Sequence, residues 1–225
     1  PRRVTVINSS IDLGRFTGVG DQRAEVRREL GLPLGAPVVG NVAALAWHKG
    51  QKDLIAAMPR VLRAVPETRL VIVGEGDQRE SLKQQAAGLK ILDRVVFTGM
   101  RRDVPRLLTA FDLFCMPSYL EGLCNSVLEA FAMKLPVVAT RAGGLPEIVH
   151  HGETGLLTPP RDPPSLADAL VRALSDHVLA SSMGEAGHKL VHERFGVDRM
   201  VELTAALYTS LSDPPASGGQ DPPGA

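Results

Sequence analysis

Two glutamates and a lysine carry the chemistry that this sequence offers most clearly. Glu121 and Glu129 stand eight positions apart within PSYLEGLCNSVLEAFAMKLPVVAT, residues 117–140. Glu121 precedes Gly122 in a turn after an apolar, strand-like run. Glu129 falls near the first turn of an amphipathic helix that the polar pair Asn125-Ser126 can cap. A helix N-terminus presents unpaired N–H groups and the positive end of a dipole, which suits a phosphate. Carboxylates beside it suit hydroxyl groups. A ligand joining phosphate to hydroxyls, as a nucleotide sugar does, fits both. Lys49, before Gly50 where a strand's loop meets a long helix, adds an ammonium group able to balance a diphosphate. Each residue taken singly also has a plainer reading. An acidic side chain at a helix start gains about 0.3–1 kcal/mol from the dipole alone, and a lysine there is often only solvated.

These residues need a frame, and the chain supplies one by alternating short β-branched runs with amphipathic stretches, the pattern of a parallel sheet covered by helices on both faces. Strands are expected at 38–43, 69–73, 94–98, 112–116 and 136–139. Helices are expected at 50–65, with Leu54, Met58, Val61, Leu62 and Val65 on one face, and at 78–90, 103–110, 126–134, 164–175, 178–193 and 197–211. The last of these is expected to expose an apolar face. Residues 1–17 read as a linker segment, 18–212 as the folded domain, and 213–225 (DPPASGGQDPPGA) as a disordered tail without a large apolar residue. The missing initiator Met and the start within a strand-like segment point to a piece of something longer.

Bulk properties narrow the class. With 44% hydrophobic and 22% charged residues, the 225-residue chain has the make-up of a soluble globular domain. Its 25 basic and 25 acidic side chains cancel, leaving no global field for nucleic acid. The two cysteines are Cys115 and Cys124; Cys115 lies in an apolar run and favours a reduced, buried thiol, which leans towards a cytoplasmic location. No apolar run approaches the roughly 20 residues that span a bilayer, and no signal peptide opens the chain, although peripheral contact with the inner face of a membrane stays open. The six histidines show no metal-ligand spacing. Gly74-Glu75-Gly76 follows a strand, but a dinucleotide fingerprint needs glycine at position 79, where Arg79 stands. A tight turn that lets a ligand approach closely is the simpler reading.

In order along the chain, VTVINSSIDLGRF, HKGQ (48–51), VGEGD (73–77), FTGMRRDV (97–104), PSYLEGLCNSVLEA (117–130) and PVVATRAGGLPEIVHHGETGLLTPP (136–160) resemble the C-terminal, donor-binding domain of glycosyltransferase family 4. The resemblance covers about residues 1–212. It implies a Rossmann-like α/β domain, one half of a GT-B fold, and a retaining transfer from a nucleoside diphosphate sugar without divalent metal or other cofactor. It also implies an acceptor-binding N-terminal domain as partner. Lys49 would neutralise the diphosphate; Glu121, the catalytic candidate, would hold the donor sugar; Gly122, Leu123, Cys124 and Asn125 would offer backbone N–H groups; Glu129 would hold the ribose. Gly74 would line the donor, and Met100 and Arg101 would meet the base or a phosphate. Gly143 and Gly144 read as structural, allowing close helix–strand packing. Ala43 stands where the family often carries arginine, Leu135 where it commonly has glycine, and Cys124 where it often has proline. Two rival readings are a GT-B-fold epimerase or phosphorylase, and a non-catalytic module that binds nucleotide sugars or serves as an interaction surface.

Overall fold

In the computed structural model, which describes residues 4–212, the five expected strand runs and one more form a single parallel sheet. Its strands are β1 (Val38–Val42), β2 (Arg69–Val73), β3 (Val95–Gly99), β4 (Leu113–Met116), β5 (Val137–Thr140) and β6 (Gly155–Thr158). They lie in the order β3-β2-β1-β4-β5-β6. β1 pairs with β2 from Val38 opposite Arg69 to Val42 opposite Val73, and with β4 through Gly40 opposite Phe114. The chain therefore winds outwards in both directions from the β1–β4 junction. At such a reversal the loops part, and a crevice opens at the carboxyl ends of the strands.

The helices are α1 (Arg23–Glu29), α2 (Gln51–Ala64), α3 (Arg79–Gly88), α4 (Val104–Leu108), α5 (Asn125–Ala132), α6 (Leu145–Ile148), α7 (Pro163–Ser175), α8 (His177–Arg194) and α9 (Val197–Ser212). Alternation along the strands divides the core between two faces. Leu70, Ile72, Leu113, Cys115 and Val138 pack with Leu54 and Met58 of α2, Leu82 of α3 and Leu166 of α7. Their neighbours Val71, Val73, Phe114, Met116 and Val137 pack on the other face with Leu107 of α4, Leu128 and Phe131 of α5 and Val191 of α8. Burial on both faces is what makes these strands read as unbroken apolar runs. Two of the covering helices, α7 and α8, start where an aspartate side chain replaces the missing backbone acceptors. Asp162 caps α7, accepting from the Ser165 N–H at 3.0 Å and the Ser165 hydroxyl at 2.6 Å, with two prolines filling the first turn.

At the amino ends of the strands, α1 is bound to the sheet by a buried cation. Arg27 is fully buried; it donates to the carbonyls of Ala110 (3.0 Å), Leu34 (2.6 Å) and Ala36 (2.8 Å) and to Asp112 Oδ2 (2.7 Å). Asp112 Oδ2 also accepts from the Val38 N–H at 2.7 Å, tying the start of β1 to the loop before β4.

α1, α6 and β6 are additions to the elements read from the sequence. The linker assigned to residues 1–17 is docked where it is described: Ile11 and Phe16 are buried, and the Ile11 N–H donates to Phe195 O at 2.9 Å. α9 leaves Val201 and Leu211 exposed, as the sequence pattern implied. The tail assigned to 213–225 lies outside the described residues. No helix among the described residues is long and apolar enough to cross a membrane.

Candidate functional site

Three loops meet at the carboxyl end of the β1–β4 junction, and close backbone contact fixes their relative positions. Gly50 starts α2 in the left-handed conformation (φ 70°); a Cβ there would lie 2.0 Å from Pro117 O. One step away, the Tyr119 N–H donates to His48 O at 2.7 Å. On the far side, a Cβ on Gly143 (φ 51°) would lie 1.8 Å from Glu121 O, and one on Gly144 would lie 2.7 Å from Gly122 O. The Gly144 N–H donates to Glu121 O at 3.1 Å. Gly143 and Gly144 therefore let loop pack on loop, a correction to the helix–strand contact expected of them. Their effect is to hold the Glu121 turn in place.

Between these loops, Lys49 Nζ bridges both Glu121 oxygens, at 3.0 Å to Oε1 and 2.8 Å to Oε2. The pair is largely shielded, with 19% of the lysine and 10% of the glutamate side chain exposed. The hydroxyl of fully buried Ser118 donates to Glu121 Oε2 at 3.0 Å, and Thr140 Oγ1 donates in turn to Ser118 O. Lysine and glutamate thus neutralise each other.

The segment that follows, the turn into α5, has unpaired backbone donors. Among the described residues, the N–H groups of Gly122, Leu123, Cys124 and Asn125 donate to no partner. Consecutive free N–H groups leading into a helix form an anion-binding concavity, reinforced by the helix dipole. The expected Asn125-Ser126 cap is not the one formed. Asn125 is already the first residue of α5, so Cys124 is the capping residue, and it makes no side-chain capping hydrogen bond. Burial and the neighbouring Glu121 charge push the Cys124 thiol up to about 12, despite the nearby Val127 and Ser126 N–H groups, so it stays protonated.

Glu129 lies one turn into α5, half-buried. Burial raises its pKa, and Arg15 from the linker segment works in the opposite direction. Its carboxylate makes no hydrogen bond among the described residues. Gly74 ends β2, donates to Gly99 O at 2.9 Å, and would place a Cβ 2.0 Å from Ala43 O. What approaches this turn closely is the chain after β1. Met100, just after β3, is 73% exposed. Arg101 beside it is already engaged: its Nε and one terminal nitrogen grip Asp103 at 2.8 and 2.7 Å, and the other reaches Glu29 at 2.7 Å. Those bonds raise the guanidinium pKa, and the Arg101 hydrogen bond draws the Asp103 carboxyl down to about 2. Stacking or phosphate contact by Arg101 would require it to leave this network.

The structure therefore brings together Lys49, Glu121 and the 122–125 N–H groups, with Glu129 one turn along α5. Gly74, Met100 and Arg101 stand on the neighbouring β2 and β3 loops. Sequence reading missed Ser118 and Thr140. Ser118 had a signal in its Ser-x-x-Glu spacing to Glu121, a pattern in which hydroxyl and carboxylate fold back on each other. Among the described residues, no group of three or more His, Cys, Asp or Glu side chains is placed to hold a metal ion.

With this geometry in view, similarity to known proteins is informative. The sequence model described as "Glycosyl transferases group 1" matches residues 22–190. A GDP-mannose-dependent alpha-(1-6)-phosphatidylinositol monomannoside mannosyltransferase of Mycolicibacterium smegmatis is 39% identical over 186 residues, covering 79% of this chain and 48% of the relative. The N-acetyl-alpha-D-glucosaminyl L-malate synthase of Bacillus anthracis is 30% identical over 184 residues, covering 82% of this chain and 48% of that enzyme. The chain thus spans about half the length of these curated relatives. Among solved structures, Anabaena HepE in complex with UDP and glucose superposes with a TM-score of 0.85 at 29% identity, over 92% of this chain and 56% of HepE. The C-terminal domain of a group 1 glycosyl transferase (LpcC) of Francisella tularensis superposes at 0.72 with 27% identity, over 83% of this chain and 99% of that domain. The Rossmann-like sheet is the fold of one half of a GT-B enzyme, and the chain belongs to the group 1 glycosyltransferases.

Proposed function

We propose that this chain holds a nucleoside diphosphate sugar for retaining glycosyl transfer, with an acceptor presented by a further, N-terminal domain of a longer cytoplasmic protein. The observation that carries the reading is the run of four free N–H groups beside the Lys49–Glu121 pair. The diphosphate settles against these donors and shares Lys49, releasing Glu121 from its bidentate grip. Glu121 then turns to the sugar hydroxyls and to the positive charge that grows at the anomeric carbon. Glu129 takes the ribose hydroxyls, and the loops carrying Gly74, Met100 and Arg101 flank the base. In the reaction the bond from the anomeric carbon to the phosphate oxygen breaks, and its electron pair leaves on the diphosphate. The acceptor oxygen bonds to that carbon from the same face, and its proton passes to the departing phosphate. The lysine, the backbone donors and the α5 dipole balance the leaving charge, so no divalent metal is required.

Glu121→Ala in the longer protein, screened against a panel of nucleotide sugars, tests the assignment. Transfer is expected to fall by about 10²–10³-fold or more while nucleotide binding is largely kept. Transfer at the unaltered rate would remove Glu121 from the mechanism.

A further inference from the structure

We propose that a cavity beside the Lys49–Glu121 site, and separate from it, is a saccharide-binding subsite that takes one pyranose ring. It encloses about 150 Å³ between the loop before α2, the first turns of α2 and α3, and the turn before α7. A cavity of about 150 Å³ admits one six-membered ring. Its chemistry comes from Trp47, Gln51, Lys52, Gln78, Tyr119 and Arg161.

The aromatic pair sets the shape. Trp47 is 60% exposed, and its ring centroid lies 6.4 Å from that of Tyr119 at an interplanar angle of 43°. Rings at this distance pack on each other, and the exposed part of Trp47 is left to cover the C–H bonds of a puckered ring. The polar groups set the class. The Arg161 guanidinium lies 4.7 Å from the Tyr119 ring centroid and Lys52 Nζ lies 5.8 Å from it. Arg161 holds a left-handed backbone (φ 60°) immediately before Asp162, the cap of α7. A non-glycine residue kept in that conformation is held there by its surroundings.

The Tyr119 hydroxyl is buried against the carboxylate of Asp53. Burial, and then Asp53, raise the phenol's pKa and keep its proton in place. The cavity wall beside Tyr119 carries the amides of Gln51 and Gln78, groups whose oxygens accept and whose N–H bonds donate. Hydroxyls that donate and accept on one face of an apolar ring answer all of these features. A free phosphate would use only the cations, and an apolar ligand only the rings. Trp47 stands two residues before Lys49 and Tyr119 two before Glu121, and the Tyr119-to-His48 hydrogen bond fastens the two segments together. Use of the subsite for an acceptor sugar rests on the donor-site reading above, whereas saccharide binding in the cavity does not.

Trp47 is the single tryptophan of the chain, so its fluorescence reports on this cavity. The experiment titrates the chain with methyl glycosides of glucose, mannose, galactose, N-acetylglucosamine and glucuronic acid, with uridine and inorganic phosphate as separate arms. A saturable change is expected with at least one glycoside at a dissociation constant on the order of 1 mM. It should weaken tenfold or more in Arg161→Gly, a change compatible with the local φ, and also in Lys52→Ala, and it should persist in Lys49→Ala. No response to any glycoside up to about 10 mM overturns the proposal, as does a response to uridine or phosphate alone. Unchanged glycoside binding in both cavity variants does the same. Loss in Lys49→Ala would place the sugar in the donor site and overturn a separate subsite.

Discussion

The two ends of the sheet are each organised around an ion pair, and the pairs differ in how much bonding capacity they leave over. At the amino ends, Arg27 is fully buried and spends its donors on four carbonyls and Asp112, while Asp112 also takes the Val38 N–H and Arg23. At the carboxyl ends, Lys49 and Glu121 hold each other and Ser118, yet the N–H groups of 122–125 have no partner among the described residues. Asn41 Oδ1, also on an element of this junction, is buried and has no partner among the described residues. A saturated polar network supports a fold; a network with capacity left over is where a ligand completes the bonding.

The sharpest way to break this contrast is Arg27→Met. Removing the buried partner of such a pair costs about 3–5 kcal/mol, because Asp112 and four carbonyls lose a donor, and urea unfolding would read the loss. A cost below about 1 kcal/mol would make the two ends alike. Next in size is Gly143→Ala. The new Cβ meets the Glu121 backbone and demands a left-handed alanine, so a loss of about 1–3 kcal/mol is expected, with weaker nucleotide binding as the Glu121 turn shifts. Full nucleotide affinity in this variant would separate the loop lock from the site.

The smallest effect concerns Glu129, whose burial raises its pKa in the folded state. The native protein then binds more protons than the unfolded chain between the ordinary carboxylate value and the raised one. Stability from this group is therefore full below the unfolded value and is lost as pH rises through the folded value. Glu129→Gln should flatten that slope and change stability at neutral pH by no more than about 1 kcal/mol, measured by melting temperature across acidic to neutral pH. An unaltered slope would show that Glu129 does not titrate differently in the fold.

The strands were legible because burial on both faces leaves no polar break in runs such as Arg69–Val73. β6 escaped because GLLT offers only two large apolar residues between glycine and threonine. α1 was hidden by its charge: in RAEVRRE the buried positions are Val26 and Arg27, and the acceptor for Arg27 lies 85 residues away at Asp112. Lys49, Glu121 and Glu129 stood out because their chemistry is local to the residue type. Thr140 and the glycine contacts that lock the loops depend on segments that only the fold brings together, whereas Ser118 bonds Glu121 three positions on, a spacing the sequence does carry. The α5 cap missed by one residue, the ordinary error of placing a helix end from composition.

The most direct measurement is calorimetric titration of the chain with UDP, GDP, ADP and inorganic phosphate, repeated on Lys49→Ala and, at the opposite end of the sheet, Arg23→Ala. The expected result is saturable binding of at least one nucleoside diphosphate, weakened about 10–100-fold by loss of the charged hydrogen bonds of Lys49 and unchanged in Arg23→Ala. Absence of binding by every nucleoside diphosphate, or equal affinity in Lys49→Ala, would contradict a donor site at the carboxyl end of the sheet.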